Sequence, residues 1–362
     1  MSENKTNRAE VMNRIRPMLT PLVSLVFALF VSILFVMFGQ KTGFVEAAQM
    51  LFKALWDGSF GDFDSFSNTL VITTPLILTG LANALAFRAG LFNIGAEGQF
   101  MIGMISATIV GLIPGIPTFI HIPLILIAGM LGGALWAAIP GYFKAARGTN
   151  EVVNTIMMNY IAFNLYNYLI RVPFARPGTV STELVQPSAR LWRFVDPTNR
   201  LNIGIFIAIA AAVAIWYLMS KTTVGYELRA VGSNRFAAES GGISIKKNII
   251  LAMAISGLLA GLGGAIQLSG NEISAKQLGS FSNYGFNGIA VALLAKKHPI
   301  GVIFSALLFG ALSNASIVLQ IRGISKDIVY VIQAIVIIFV AADYVWVWLA
   351  DRRKTKEAMK NV

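Results

Sequence analysis

The sequence predicts an all-α, polytopic membrane protein of about ten transmembrane helices, and three observations predict it. Charged residues make up 13% of the chain and apolar residues 56%, whereas an ordinary globular domain carries about 25% charge. The charges are gathered between apolar runs, several long enough for the ~20 residues of helix that cross a bilayer. The 33 glycines suit helices that approach closely in lipid, where small side chains let backbones meet. The same composition excludes other classes. With no cysteine in the chain, disulfides and thiolate metal sites are ruled out. A net charge of +12 would point to nucleic acid in a soluble protein. Here it reflects Lys and Arg held on one side of a membrane, and no nucleic-acid partner is expected.

In chain order, residues 1–18 form a basic lead-in with Arg14 and Arg16 against the first apolar run. Their length and mixed charge do not fit a cleavable signal. The first span covers Leu19 to Phe38. A polar stretch with Glu46, Asp57, Asp62 and Asp64 follows, and Phe44 to Trp56 within it reads as an interfacial amphipathic helix. The second span runs from Thr69 to Phe87 and stops at Arg88. The third begins within GLFNIGAEGQ and ends near Ile113, before the PGIP turn at 114–117. The fourth covers Ile122 to Phe143, stopping at Lys144 and Arg147.

The fifth span, Glu151 to Ile170, carries Asn154, Asn159, Asn164 and Asn167. Residues 171–200 form a loop in which Pro173, Pro177, Pro187 and Pro197 forbid a continuous helix. Leu201 to Met219 is the sixth span, followed by a polar, basic island at 221–248 that reads as a Gly-flanked turn, a short helix from Asn234 to Ser240 and a Gly241-Gly242 break. Ile249 to Leu268 is the seventh span. Gly285 to Ala295 is only about 11 residues, too short to cross alone, and reads as a half-helix or an extension of the polar stretch before it. Pro299 to Leu319 and Asp327 to Leu349 complete the set, Trp346 and Trp348 marking an aromatic belt. A basic tail at 351–362 closes a transmembrane domain of residues 19–350.

Nineteen of the 29 Lys and Arg residues fall on 1–18, Arg88, Lys144, Arg147, the island, Lys296, Lys297 and the tail. The positive-inside rule then places both termini and the island in the cytoplasm of a multi-pass plasma-membrane protein, and loop 171–200 outside. A candidate repeat is visible: GLFNIGAEGQ (90–99) echoes GFNGIAVAL (285–293), and LTGLANAL (78–85) echoes ISGLLAGL (255–262). The paired spans cross in opposite senses, so the repeat would be inverted, as in many transporters.

No catalytic or metal-ligating set is present. His121 and His298 are the only histidines, and neither a nucleophile elbow nor a P-loop occurs. The chain is therefore expected not to be an enzyme, to bind no cofactor itself, and to draw energy from a gradient or a separate subunit. Gly261–Gly264 lies within a span and reads as packing. Polar side chains at membrane depth are costly unless they face protein or water. On that ground Asn93, Glu97, Gln99, Asn154, Asn159 and Asn287 are pathway candidates; the alternatives are that Glu97 fixes a helix end or pairs with Arg88, and that the amides bond helices to one another. The candidates are mostly amides, which suit a neutral, hydroxyl-rich solute.

Four segments carry a family resemblance: GLFNIGAEGQF (90–100), GTNEVVNTIMMNYIA (148–162), ELRAVGSNRFAAESGGI (227–243) and YGFNGIAVALLAKKHPIG (284–301). Together they resemble permease subunits of ATP-binding-cassette importers, in the branch serving ribose-like sugars, branched-chain amino acids and nucleosides. FNIGAEGQ looks most like the nucleoside permeases. Ala295 departs from the glycine of many relatives, a change between small residues. The resemblance implies that the island holds a coupling helix that docks on an ATPase subunit where ATP is bound. Arg229, Asn234, Phe236, Ala237, Ala238, Gly242 and Ile243 are the contacts, with Phe236, Ala237 and Ala238 as an exposed apolar face. It further implies a second, shorter permease in a heterodimer and an extracellular binding lipoprotein that delivers a nucleoside. A ribose-like sugar permease and a gradient-driven secondary transporter are the alternatives.

Overall fold

The computed structural model describes residues 23, 26–194 and 199–341. The expectations for residues 1–18, Pro197, Trp346, Trp348, the end of the last span and the tail lie outside them. The described residues are helical, with two isolated β-bridges and no strand. The helices are α1 (Val26–Gln40), α2 (Phe44–Ser59), α3 (Phe63–Arg88), α4 (Ala96–Gly111), α5 (Thr118–Arg147), α6 (Glu151–Arg171), α7 (Gly204–Lys221), α8 (Thr223–Ser233), α9 (Arg235–Ser240), α10 (Ile245–Ile266), α11 (Tyr284–Leu294), α12 (Pro299–Ile321) and α13 (Asp327–Ala341). Five of them (α3, α5, α7, α10 with its continuation to Glu272, and α12) are long and apolar enough to cross a membrane. α1 and α2 meet that test only together, and they are bent by 110° at their junction.

The chain forms two compact units, one from residues 59–314 and one from 1–58 and 315–362. In the smaller unit, Arg322 donates to the Asp57 carboxylate in an ion pair. A Cβ on Gly58 would lie 2.7 Å from the Ala315 backbone, so that position is closed to larger residues.

In the larger unit α3, α4 and α10 are enclosed, and α5 packs on α10 and α4. Glycines set this arrangement. Side chains on Gly129 or Gly133 of α5 and on Gly257 or Gly261 of α10 would each run into the other helix's backbone, and Gly103 of α4 meets Gly261 at the same crossing. In lipid, apolar side chains gain nothing by leaving their surroundings, so close van der Waals approach of backbones drives such packing. Gly261–Gly264 therefore packs helices. From Phe119 to Leu135 the opposite face of α5 is apolar and exposed, with Leu124, Ile127 and Leu131 along it.

Two local features differ from the sequence reading, and a third adds to it. Residues 223–233 form a helix, not a Gly-flanked turn: Thr222 caps it through Gly225 N–H (3.1 Å), and Gly225 is needed because α8 folds back onto the Leu218 carbonyl. After Ile266, α10 widens into a π-helical turn, Gln267–Glu272, which ends at Ile273 in the left-handed region (φ 52°). Buried amides hold that turn: Asn202 donates to Asn271 Oδ1 (3.0 Å) and Asn271 to Gln267 Oε1 (2.8 Å). Finally, the described part of 171–200 has only one 3-10 turn, Pro187–Ala189, yet it is tied down. Thr182 N–H donates to Ala275 O and Val185 N–H to Ile273 O, both at 2.9 Å.

Candidate functional site

α11 is a separate 11-residue helix, about 16 Å long at 1.5 Å per residue, so it cannot cross a bilayer alone. Asn283, in the left-handed region (φ 66°), turns the chain into it and makes no side-chain cap. The N-terminal N–H groups of a helix need acceptors and favour negative charge. Glu97 supplies both from the first turn of α4, 186 residues earlier. Its Oε1 accepts from Ser282 Oγ (2.6 Å) and Asn283 N–H (2.8 Å), and its Oε2 from Gly285 N–H (2.7 Å). A Cβ on Gly285 would strike the Glu97 backbone, so only glycine lets the two helix starts come this close.

The amides around this junction are mostly engaged. Asn93 donates to Ser256 Oγ (2.8 Å) and exchanges hydrogen bonds with Gln99 (3.0 and 3.1 Å), while Ser256 Oγ donates to the Ala82 carbonyl. Asn159 clamps the start of α4, accepting from Gly98 N–H (2.8 Å) and donating to Ile94 O (3.0 Å). Asn167 grips Leu278 in the same two-handed way, at 2.9 and 3.0 Å. The structure therefore brings Asn93, Glu97, Gln99 and Asn159 together, all buried and all bonded to protein. Asn154 stands apart, donating to Thr149 Oγ1 (2.6 Å). Asn287 is half-buried on α11. Both echoed pairs also touch: Glu97 meets Gly285, and Ser256 meets Ala82.

Sequence reasoning noted Asn164 on the fifth span but left it out of the pathway candidates. It lies on the face of α6 opposite buried Asn159, Ala162 and Tyr166, and it is exposed. Helical periodicity separates 164 from 159 and 166, but which face the protein covers depends on the neighbouring helices.

At one end of the larger unit, α8 and α9 lie against the end of α3. Gly232 abuts the Arg88 carbonyl, and Arg235 donates to Gly90 O (3.4 Å). Lys144 pairs with Glu151 at 2.7 Å. Asn234 caps α9 through Ala237 N–H (3.1 Å), and α9 ends at Gly241, with Gly242 at φ 80°. Phe236 is 82% exposed and Ala237 is exposed, but Ala238 is buried. The apolar face expected of Phe236, Ala237 and Ala238 is thus corrected to Phe236 and Ala237, because Ala238 faces the body of the protein. Arg229 and Ile243 are half-buried, and Gly242 is exposed.

This arrangement defines an integral-membrane helical permease: enclosed helices packed through glycine, a half-helix anchored from a distant carboxylate, and a capped helix presented at the basic end. Residues 65–341 match the family described as branched-chain amino acid transport system / permease component, and the chain belongs to that family. It is 39% identical to the guanosine ABC transporter permease protein NupP of Bacillus subtilis, over 96% of this chain and 100% of the relative. It is 37% identical to the nucleoside ABC transporter permease protein NupB of Lactococcus lactis (92% and 93% covered). It is 32% identical to the glucose ABC transporter permease protein TsgB13 of Haloferax volcanii (82% and 80%). The chain is accordingly a multi-pass plasma-membrane protein.

Proposed function

We propose that this chain is the permease of an ATP-driven importer that carries nucleosides. The full-length similarity to a guanosine permease carries the substrate assignment. The chain would cross the membrane about ten times as two inverted halves, with residues 1–18, the 221–248 island and the 351–362 tail in the cytoplasm and loop 171–200 outside. The convergence of Arg88, Arg235, Lys144 and the α8–α9 segment at one end of the larger unit supports that orientation. Phe236 and Ala237 of α9 would enter a groove on an ATPase subunit, which binds the ATP, with Arg229, Asn234, Gly242 and Ile243 shaping the contact. A second, shorter permease would complete the pathway, and a lipoprotein would deliver solute to the 171–200 loop.

A gradient-driven mechanism needs a titratable group free to exchange ions along the pathway, and the Glu97 carboxylate is instead committed to holding α11. Among the sequence candidates, Asn287 is the best placed to face solute, since it alone makes no side-chain hydrogen bond among the described residues. Uptake of labelled guanosine, uridine and ribose by membranes containing the complete transporter tests the assignment. Uptake of both nucleosides is expected; uptake of ribose alone would overturn it.

A further inference from the structure

About three helical turns of α6 place Met157, Tyr160, Asn164 and Tyr168 on one outward face, lining a groove of about 450 Å³ together with Ile161 and Leu165. Met157, Tyr160 and Tyr168 are each more than half exposed. The outward face of α5 in the same molecule is aliphatic and aromatic from Phe119 to Leu135, and its one exposed phenol, Tyr142, lies near the helix end. The α6 face is different: it carries the Tyr160 phenol and the Asn164 amide well inside the helix ends, with Tyr168 in the last turn. Exposed polar groups at that depth belong against water or protein, not hydrocarbon. The face has no formal charge.

Its chemistry selects an occupant. Asn164 Nδ2 donates one hydrogen to the Tyr160 carbonyl (2.8 Å). This leaves one N–H and the side-chain oxygen free, a donor beside an acceptor. That pair matches the donor–acceptor edge that every nucleobase presents. The tyrosines on either side span eight residues, about 12 Å along the helix, and offer the aromatic surface on which any base can stack. Tyr160 is itself held edge-on by Phe281 at 5.3 Å, and Phe281 is fixed against Phe163 (5.1 Å) and Phe286 (5.6 Å). The Asn167 clamp on Leu278 holds that loop in place. One edge of the groove is therefore rigid.

We propose that this face of α6 is the wall that recognises the base of the transported nucleoside, with Asn164 reading its hydrogen-bonding edge and Tyr160 and Tyr168 stacking on it. The inference rests on the nucleoside reading and adds the residues that would set specificity.

The absence of cysteine from the chain makes the test direct. Asn164→Cys and, as a lipid-face control, Leu131→Cys are each placed in the complete transporter and exposed to a small aqueous thiol reagent. Asn164→Cys should react and be slowed several-fold by saturating guanosine but not by ribose, whereas Leu131→Cys should not react. Separately, Asn164→Leu should lower kcat/KM for guanosine about tenfold, the size of one lost bidentate base contact, with an unchanged amount of assembled transporter. If unmodified transporter carries guanosine but Asn164→Cys is inert or unprotected, the proposal is overturned; an inert Asn164→Cys that forms a cross-link to the second permease assigns the face to that subunit instead. If unmodified transporter carries no nucleoside at all, the functional reading fails first.

Discussion

The Glu97 carboxylate and the Gly285 backbone N–H meet at 2.7 Å, joining the start of α4 to the start of a half-helix 188 residues later. The contact ties together the two echoed segments, FNIGAEGQ and YGFNGIAVAL. It turns the most conspicuous buried acid of the sequence into a helix cap supplied by another helix.

Removing that cap should destabilise the protein. Glu97→Ala leaves the Ser282 hydroxyl and the Asn283 and Gly285 N–H groups without their acceptor. An unsatisfied buried donor costs about 1–3 kcal/mol, so a clear fall in Tm of the purified protein is expected. Glu97→Gln keeps one carbonyl oxygen and should fall less. Equal Tm for Glu97→Ala and unmodified protein would show that the cap contributes nothing.

The glycine crossing should be equally intolerant. Gly257→Val or Gly133→Val forces apart α5 and α10, where an added Cβ already meets backbone. Overpacking a close-packed site costs about 1–3 kcal/mol, and here backbone must move. Gly43, with nothing within 4 Å, is the control. Fluorescence-detected size-exclusion chromatography should show loss of monodisperse protein for the two crossing variants and none for Gly43→Ala.

The asparagines of α6 should separate by role. Asn159→Ala and Asn167→Ala each remove a two-handed grip on backbone and should lower Tm. Asn164 bonds only within its own helix, and Asn164→Ala should leave Tm unchanged. A ranking in which Asn164→Ala is the most destabilising would contradict the assignment of these faces.

At the basic end, Phe236→Glu should leave folding intact, since the ring is 82% exposed, yet abolish solute-stimulated ATP hydrolysis and co-purification of the ATPase. Ala238→Glu is a poorer probe because that position is buried, and it should disturb α9 itself. Normal co-purification with Phe236→Glu would remove α9 from the coupling contact.

Much of the fold was legible in the sequence because apolar run length is a strong signal. The starts and ends of α5, α6, α10 and α12 fall within a few residues of those expected, and α11 is the short separate helix its length implied. α8 was missed because Gly225 reads as a breaker, when its role is to let α8 lie on Leu218. The π-helical turn after Ile266 was missed because it rests on Asn202, 65 residues earlier. For the site, sequence found the depth of the polar side chains but not their partners. Asn93, Gln99 and Asn159 are amides at membrane depth, and only the fold shows them bonded to Ser256, to one another and to the α4 backbone. Asn164 has the same residue type and depth; only the packing of α6 shows it facing outward.

The most direct test of the whole account is ATP-driven uptake of labelled guanosine into proteoliposomes containing this chain, its second permease, the ATPase and the binding protein. Guanosine accumulation that requires internal ATP is the expected result. Accumulation that proceeds without ATP, or an importer that moves glucose or ribose and leaves guanosine outside, would contradict it.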